Sequence, residues 1–363
     1  FYTVMGFWFF FTFIRRIWGV GVAWLVSLMV FLGTNVLYYS VVNTGMSHIY
    51  SFCLFAAFLY GLSRLPGSGR AWLFTGLIAG LILAVRPLNL LFILVALLWF
   101  LQRGSLHIKD LLTRKILIMA FAAILMLFPQ LVYWHYLTGN WVYYSYGNEG
   151  FSNALHPDLT ALWFAPNNGL ILYNPVYLLV IVAMIWLVVR NVREGLIFSL
   201  SFLSLSYLLA SWHIPYFGCS YGSRNFVEYS VFFFLPLAGM LAAIRRWWVK
   251  GIFLLIALAC ILYNTKLMYH AIGCFKGETT WEWSAFKDHL LKGFFHLEEP
   301  QILVNPSDKT VGLQVFFIPE EASRVPFEVA EVSMKVDFYT EGDKAQMVFH
   351  AVSGDSTLVW SPF

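Results

Sequence analysis

The chain has 363 residues and a formal charge of +4, and is 60% apolar, 19% aromatic and only 12% charged, against about 25% charged in a typical soluble domain. This excludes an ordinary soluble protein, and it makes the basic excess a topology signal rather than a nucleic-acid surface. Fourteen of the nineteen acidic residues follow position 275, so a membrane region precedes a soluble tail.

The opening FYTVMGFWFFFTF lacks an initiator methionine, a charged n-region and a cleavage site, so it reads as the middle of a helix in a longer gene product rather than a signal peptide. The final STLVWSPF likewise reads as a strand that continues. About 20 apolar residues cross the hydrocarbon core, fewer where neighbours cover the helix. Ten runs qualify: 1–14, 17–41, 48–62, 71–85, 88–101, 116–134, 171–189, 195–212, 226–243 and 251–268. Thirteen basic residues fall in alternate connections, from Arg15 and Arg16 to Arg245, Arg246 and Lys250, whereas the opposite connections before Lys266 hold only Arg86 and Arg224. The thirteen mark the cytoplasmic side. The loops near 42–48, 86–89, 135–170 and 213–225, and everything after 269, then face outward.

In ILAVRPLNLLFIL, Pro87 pushes Arg86 out of the α region, so the run reads as two short helices meeting near the outer face. A break at membrane depth is tolerated where it lines a protein cavity. Arg86 is then either a snorkelling residue or an anion site, since a guanidinium fork matches phosphate. His48, in NTGMSHIY, starts a span beside Ser47 and is either an interfacial cap residue or part of a site. The loop 135–170 is rich in Trp, Tyr, Asn and Gly, an interfacial belt or a set of sugar-stacking platforms. Glu149 and Asp158 are its carboxylates and the candidates for a general base. His156 stands two residues from Asp158 in a turn-forming HPD.

The stretch GCSYGSRNFVEYS brings Tyr221, Arg224 and Asn225 to the outer face just before a span, where backbone amides could add to an anion site. Glu228 is four residues from Arg224 and is expected to pair with it. Cys53 and Cys260 read as core, while Cys219 and Cys274 face out and could pair there. Beyond 268, Trp283, Phe286, Leu290 and Phe294 recur at helical spacing and predict an amphipathic helix on the outer leaflet. QILVN, VGLQVFFI, FEVAEVSMKVDFY, AQMVFHAV and TLVW read as strands. The predicted fold is an all-α polytopic membrane bundle over 1–268, an interfacial connector over 269–299 and an extracytoplasmic β-sandwich-like domain over 300–363. No HExxH, Walker loop, GxSxG or metal-ligand spacing occurs.

Four stretches, YYSVVNTGMSHIYSFCLFAAFLY, GLIAGLILAVRPLNLL, NNGLILYNPVYLL and YGSRNFVEYSVFFFLPLAGML, resemble in their order the GT-C integral membrane glycosyltransferases, which include the protein O-mannosyltransferases and the aminoarabinose transferase. The likeness covers roughly 17–245. It implies inverting transfer of a sugar from a polyprenyl-phosphate lipid to a glycan, lipid or protein acceptor at the outer face of a bacterial inner membrane. It also implies basic side chains on the lipid phosphate and a carboxylate base. The family's catalytic aspartate lies in the first large outer loop, which here would precede Phe1. Its second aspartate has no counterpart at Met46, Ser47 or His48. Arg86 and Arg224 carry over as substrate-binding residues, with Asn225, Tyr221 and His48 expected beside them. No cofactor beyond the lipid-linked donor is called for, and a divalent cation is left open. A transporter, flippase, polymerase or ligase for lipid-linked saccharides would use the same arginines.

Overall fold

The computed structural model describes residues 1–65, 68–144, 149–215, 217, 220–270 and 283–291, together with the strands 302–304, 314–316, 333–341, 344–353 and 356–360. Helices follow the apolar runs, as they must where lipid leaves backbone polar groups no other partner. They are α1 (Tyr2–Trp18), α2 (Val20–Gly33), α3 (Val36–Val41), α4 (Ser47–Leu62), α5 (Gly69–Val85), α6 (Leu90–Gln102), α7 (Ile108–Leu111), α8 (Arg114–Thr138), α9 (Leu159–Phe164), α10 (Leu170–Tyr173), α11 (Val176–Arg190), α12 (Val192–Ala210), α13 (Ser230–Phe233), α14 (Leu235–Ala243), α15 (Trp247–His270) and α16 (Trp283–Leu291).

The chain has transmembrane-helix character, and three of the ten expected spans are helices long enough to stand as spans. Three helices, Arg114–Thr138, Val192–Ala210 and Trp247–Tyr269, are long and apolar enough to cross a membrane on their own. The rest are shorter because local chemistry interrupts them. The run 17–41 breaks where Thr34 Oγ1 donates to the Val30 carbonyl at 2.6 Å and accepts the Val36 amide at 3.2 Å, a side-chain bond that competes with the helical ladder. The run 226–243 divides into α13 and α14, with Pro236 in the first turn of α14, where its missing N–H costs nothing. Pro87 ends α5 as expected: Arg86 is extended (φ −154°, ψ 119°) and Pro87–Asn89 form a single 3-10 turn before α6.

Long apolar helices lie against the bundle through small residues. α8 meets α5 at Gly76 and Gly80, where an added Cβ would stand 2.3 Å from the Met119 carbonyl oxygen and 2.2 Å from that of Ala123. Such close backbone approach through a small-xxx-small stripe is how helices pack when lipid removes the hydrophobic drive. The remainder of α8 is apolar and open, including Leu117, Phe121, Ile124 and Phe128, which suits a lipid-facing surface. At one end of the bundle, Arg103 packs over the rings of Trp18 and Trp99 and reaches Glu194 at 3.5 Å. The ends of α1 and α6 and the start of α12 therefore share a face, and all three carry basic residues in the sequence.

The chain divides into two compact units, Phe1–Leu290 and Leu291–Phe363, so most of the expected connector 269–299 that is described belongs to the first unit. Within it, α16 packs part of its apolar face on protein, while Trp283 stays half exposed. Phe286 is buried with its ring 5.7 Å from that of Tyr173, and Lys266 Nζ donates to the Leu290 carbonyl at 2.6 Å. Phe294 lies outside the described residues, as do Cys219 and Cys274. In the second unit β1 (Ile302–Val304) pairs antiparallel with β2 (Gln314–Phe316), and β3 (Ser333–Glu341), β4 (Lys344–Ser353) and β5 (Ser356–Trp360) form an antiparallel sheet in that order.

Candidate functional site

Arg86 is the centre of a polar cluster at the end of the bundle away from Arg103. Its Nη1 donates to Asn225 Oδ1 at 2.9 Å and to Glu228 Oε1 at 3.2 Å; its Nη2 donates to Ser47 Oγ at 3.0 Å and to His48 Nε2 at 3.3 Å. Four acceptors therefore take the four terminal guanidinium hydrogens, and only Nε–H is left over among the described residues. The start of α4, the end of α5 and the turn before α13 are joined through this one side chain.

Glu228 has no exposed surface, and its second oxygen accepts from His48 Nδ1 at 2.8 Å. Because a guanidinium only donates, His48 Nε2 must be the acceptor facing Arg86 and Nδ1 must carry the proton, a tautomer fixed by its partners. The cluster is thus one cation, one anion and a neutral imidazole. An uncompensated carboxylate at this depth would be costly, and the bonded pair offsets it. Glu228, expected to pair with Arg224 along its own helix, instead gives both oxygens to residues far away in sequence. Ser47 is not a cap, since α4 has none from a side chain; it supplies an acceptor for Arg86.

The same logic orients Asn225. Its Oδ1 faces Arg86, so its Nδ2 points elsewhere, and that nitrogen is buried with no hydrogen-bond partner. Only 7% of Asn225 is exposed. A buried amide without an acceptor forfeits about 1–3 kcal/mol; of the seven such buried atoms among the described residues it is the one whose side chain also bonds Arg86.

Asn225 lies on the wall of a cavity of about 400 Å³ together with Arg86, Arg224, Asn89 and Glu149, a size within the usual range for small-molecule sites. Aromatic side chains complete the wall: Trp134 from α8, Tyr143, Tyr144, Phe151, Trp212 and Tyr229. Tyr229 is held by donating to Asn89 Oδ1 at 3.1 Å, so the Pro87–Asn89 turn shapes the cavity as well as breaking the helix.

Of the residues expected to bind substrate, Arg86, Arg224 and Asn225 are brought together on this wall. His48 is 1% exposed and stands behind Arg86, where it can hold the guanidinium and not a ligand. Tyr221 is corrected to an interior residue. It is 1% exposed, its amide donates to Tyr39 Oη at 3.1 Å and its hydroxyl to the Asn264 carbonyl at 2.8 Å. Asn35 Nδ2 donates to the carbonyls of Tyr221 and Ser223 at 3.2 and 3.3 Å, and Gly222 supplies the φ of +62° that the turn requires. Of the two base candidates, Glu149 reaches the cavity. Asp158 is exposed and caps α9, accepting the Ala161 amide at 2.8 Å, so it is not on the wall; His156 is exposed beside it.

Ser47, Trp134 and the true partners of Glu228 were missed from the sequence. The signal that could have found the pairing is that Arg86 and Glu228 are isolated opposite charges inside apolar segments, where such residues normally seek one another. Among the described residues no group of three metal-ligating side chains occurs. Compared with family models, curated proteins and solved structures, the chain finds no match.

Proposed function

We propose that this protein is a glycosyltransferase that moves a sugar from a polyprenyl-phosphate donor to an acceptor at the face where Arg86 lies. The observation that carries the reading is a cavity wall that bears Arg86, Arg224 and Asn225, the last with a buried Nδ2 just beneath the wall that has no partner. A lipid phosphate offers acceptor oxygens and negative charge, and this wall offers a donor and positive charge. Because the terminal hydrogens of Arg86 are already taken, Arg224, the Asn225 amide and the Arg86 Nε–H would meet the phosphate, while Arg86 supplies field and position. The aromatic wall suits stacking on a sugar ring, and the open apolar face of α8 suits an approach from lipid.

In the transfer, an acceptor hydroxyl oxygen bonds to the anomeric carbon, the bond from that carbon to the phosphate oxygen breaks, and its electron pair leaves with the polyprenyl phosphate. The hydroxyl proton passes to a carboxylate, and Glu149 is the one on this wall. With it go the finer expectations: further short helices that span in company with their neighbours, the Arg86 face outward, a bacterial inner membrane, and a second unit that folds as a β-sandwich outside it.

Membranes containing the full-length protein, supplied with radiolabelled polyprenyl-phosphate sugar, test the reading. Arg224→Ala and Asn225→Asp are expected to reduce labelled product at unchanged expression, with Glu149→Gln lowering turnover. Wild-type turnover in all three removes the proposal. Label that crosses the membrane without a new glycosidic bond would instead make the protein a transporter.

A further inference from the structure

A second cavity, of about 230 Å³, lies among the last turn of α11, the end of α14 and the start of α15, and Trp186, Arg190, Met240, Arg245, Arg246 and Val249 line it. Three guanidinium groups ring this small volume. Among the described residues no carboxylate lies within 4 Å of any of them. The contrast with Arg103, which has Glu194, and Arg86, which has Glu228, is plain: here three positive charges share a concavity, and among the described residues no carboxylate pairs with them. Arg190 leans on the Trp186 ring at 6.0 Å and Arg246 on that of Trp248 at 5.9 Å, cation–π contacts that orient both side chains without supplying a neutralising anion.

The surroundings select the counter-ion. Trp247 is 83% exposed and Trp248 49%, the pattern of indoles at a membrane–water boundary. Ile185 and Val189 of α11 and Leu254 and Leu255 of α15 are exposed along the adjoining helices, so an apolar surface runs away from the charged mouth. An anion here would have a headgroup in the cavity and hydrocarbon alongside the helices. We infer that this cavity binds the phosphate of an anionic membrane phospholipid. Basic pockets between membrane helices are suited to this chemistry because arginine forks match phosphate oxygens. The inference is independent of the transferase reading and concerns a different end of the unit.

Native mass spectrometry of the detergent-purified full chain, titrated with phosphatidylglycerol or with phosphatidylcholine, tests it. The wild type is expected to retain phosphatidylglycerol preferentially. The triple variant R190Q/R245Q/R246Q is expected to bind it about a hundredfold more weakly, the loss of three arginine attractions to one headgroup. A matched variant, R15Q/R16Q/R70Q, removes three basic residues that do not line the cavity, and should change binding by less than about twofold. Equal losses in both variants, or none in the first, overturn the inference. So does displacement of the lipid by millimolar inorganic phosphate, which would make the site one for a soluble anion.

Discussion

Arginine is placed in opposite ways at the two ends of the helical unit. At one end Arg86 is a quarter exposed and enclosed by Ser47, His48, Asn225 and Glu228; at the other Arg103 is 30% exposed, leans on two indoles and has a single carboxylate at 3.5 Å. The difference teaches that a charge in a membrane protein can be either structural or topological. An enclosed guanidinium organises three segments and cannot be moved without breaking them. A rim guanidinium is partly hydrated and carries information mainly by its sign.

The comparison breaks most visibly if Glu228 is removed. Glu228→Ala leaves Arg86 beside an empty site and His48 without its acceptor, and should destabilise the unit by about 3–5 kcal/mol, read as a fall in the unfolding midpoint in detergent. Glu228→Gln keeps an acceptor for one partner and should cost less. A loss no larger than that of a rim arginine would mean the cluster is not structural. Next, Gly80→Leu forces a side chain against the Ala123 carbonyl and should cost about 1–3 kcal/mol or more, with α8 becoming sensitive to protease or cross-linking at its α5 face. Unchanged protection would deny that α8 is held by this close approach.

Asn225→Asp sharpens the comparison by separating fold from ligand. The acceptor for Arg86 is preserved, the unpartnered donor is lost and a second carboxylate is set beside Glu228, so the unfolding midpoint should fall by less than in Glu228→Ala while affinity for a phosphate-bearing lipid falls by about tenfold or more, through the lost donor and the added negative charge. A stability loss equal to that of Glu228→Ala, with binding lost in parallel, would make Asn225 a structural residue only. The smallest effect belongs to the other end: Arg103→Gln should change stability by about 0–1 kcal/mol, because its one carboxylate stands at 3.5 Å and a partly hydrated pair is worth little; a cost near that of Glu228→Ala would erase the distinction between the two ends.

Much of the site was legible one residue at a time. The proline in VRPLN announced the break that frees Arg86 from its helix, and the paucity of charge in the apolar runs made Arg86, Arg224 and Glu149 conspicuous. What could not be read was which groups meet. Glu228 had a nearby arginine along its own helix, and only packing could show that residues 47, 48 and 86 are closer to it in space. Tyr221 looked like part of the Arg224 turn because loop position says nothing about which way a ring faces.

Taken by itself, the sequence determined the membrane character, the helical content, the helix break at Pro87 and the segregation of basic residues, since these follow from hydropathy, proline sterics and the cost of moving charge across lipid. Tertiary structure alone decided that Arg86 is enclosed, that Asn225 keeps a donor unused, that Glu149 reaches the cavity, and that α8 rests on two glycines. Those outcomes depend on distances between segments as much as 180 residues apart, and a local pattern of residue types carries no record of them.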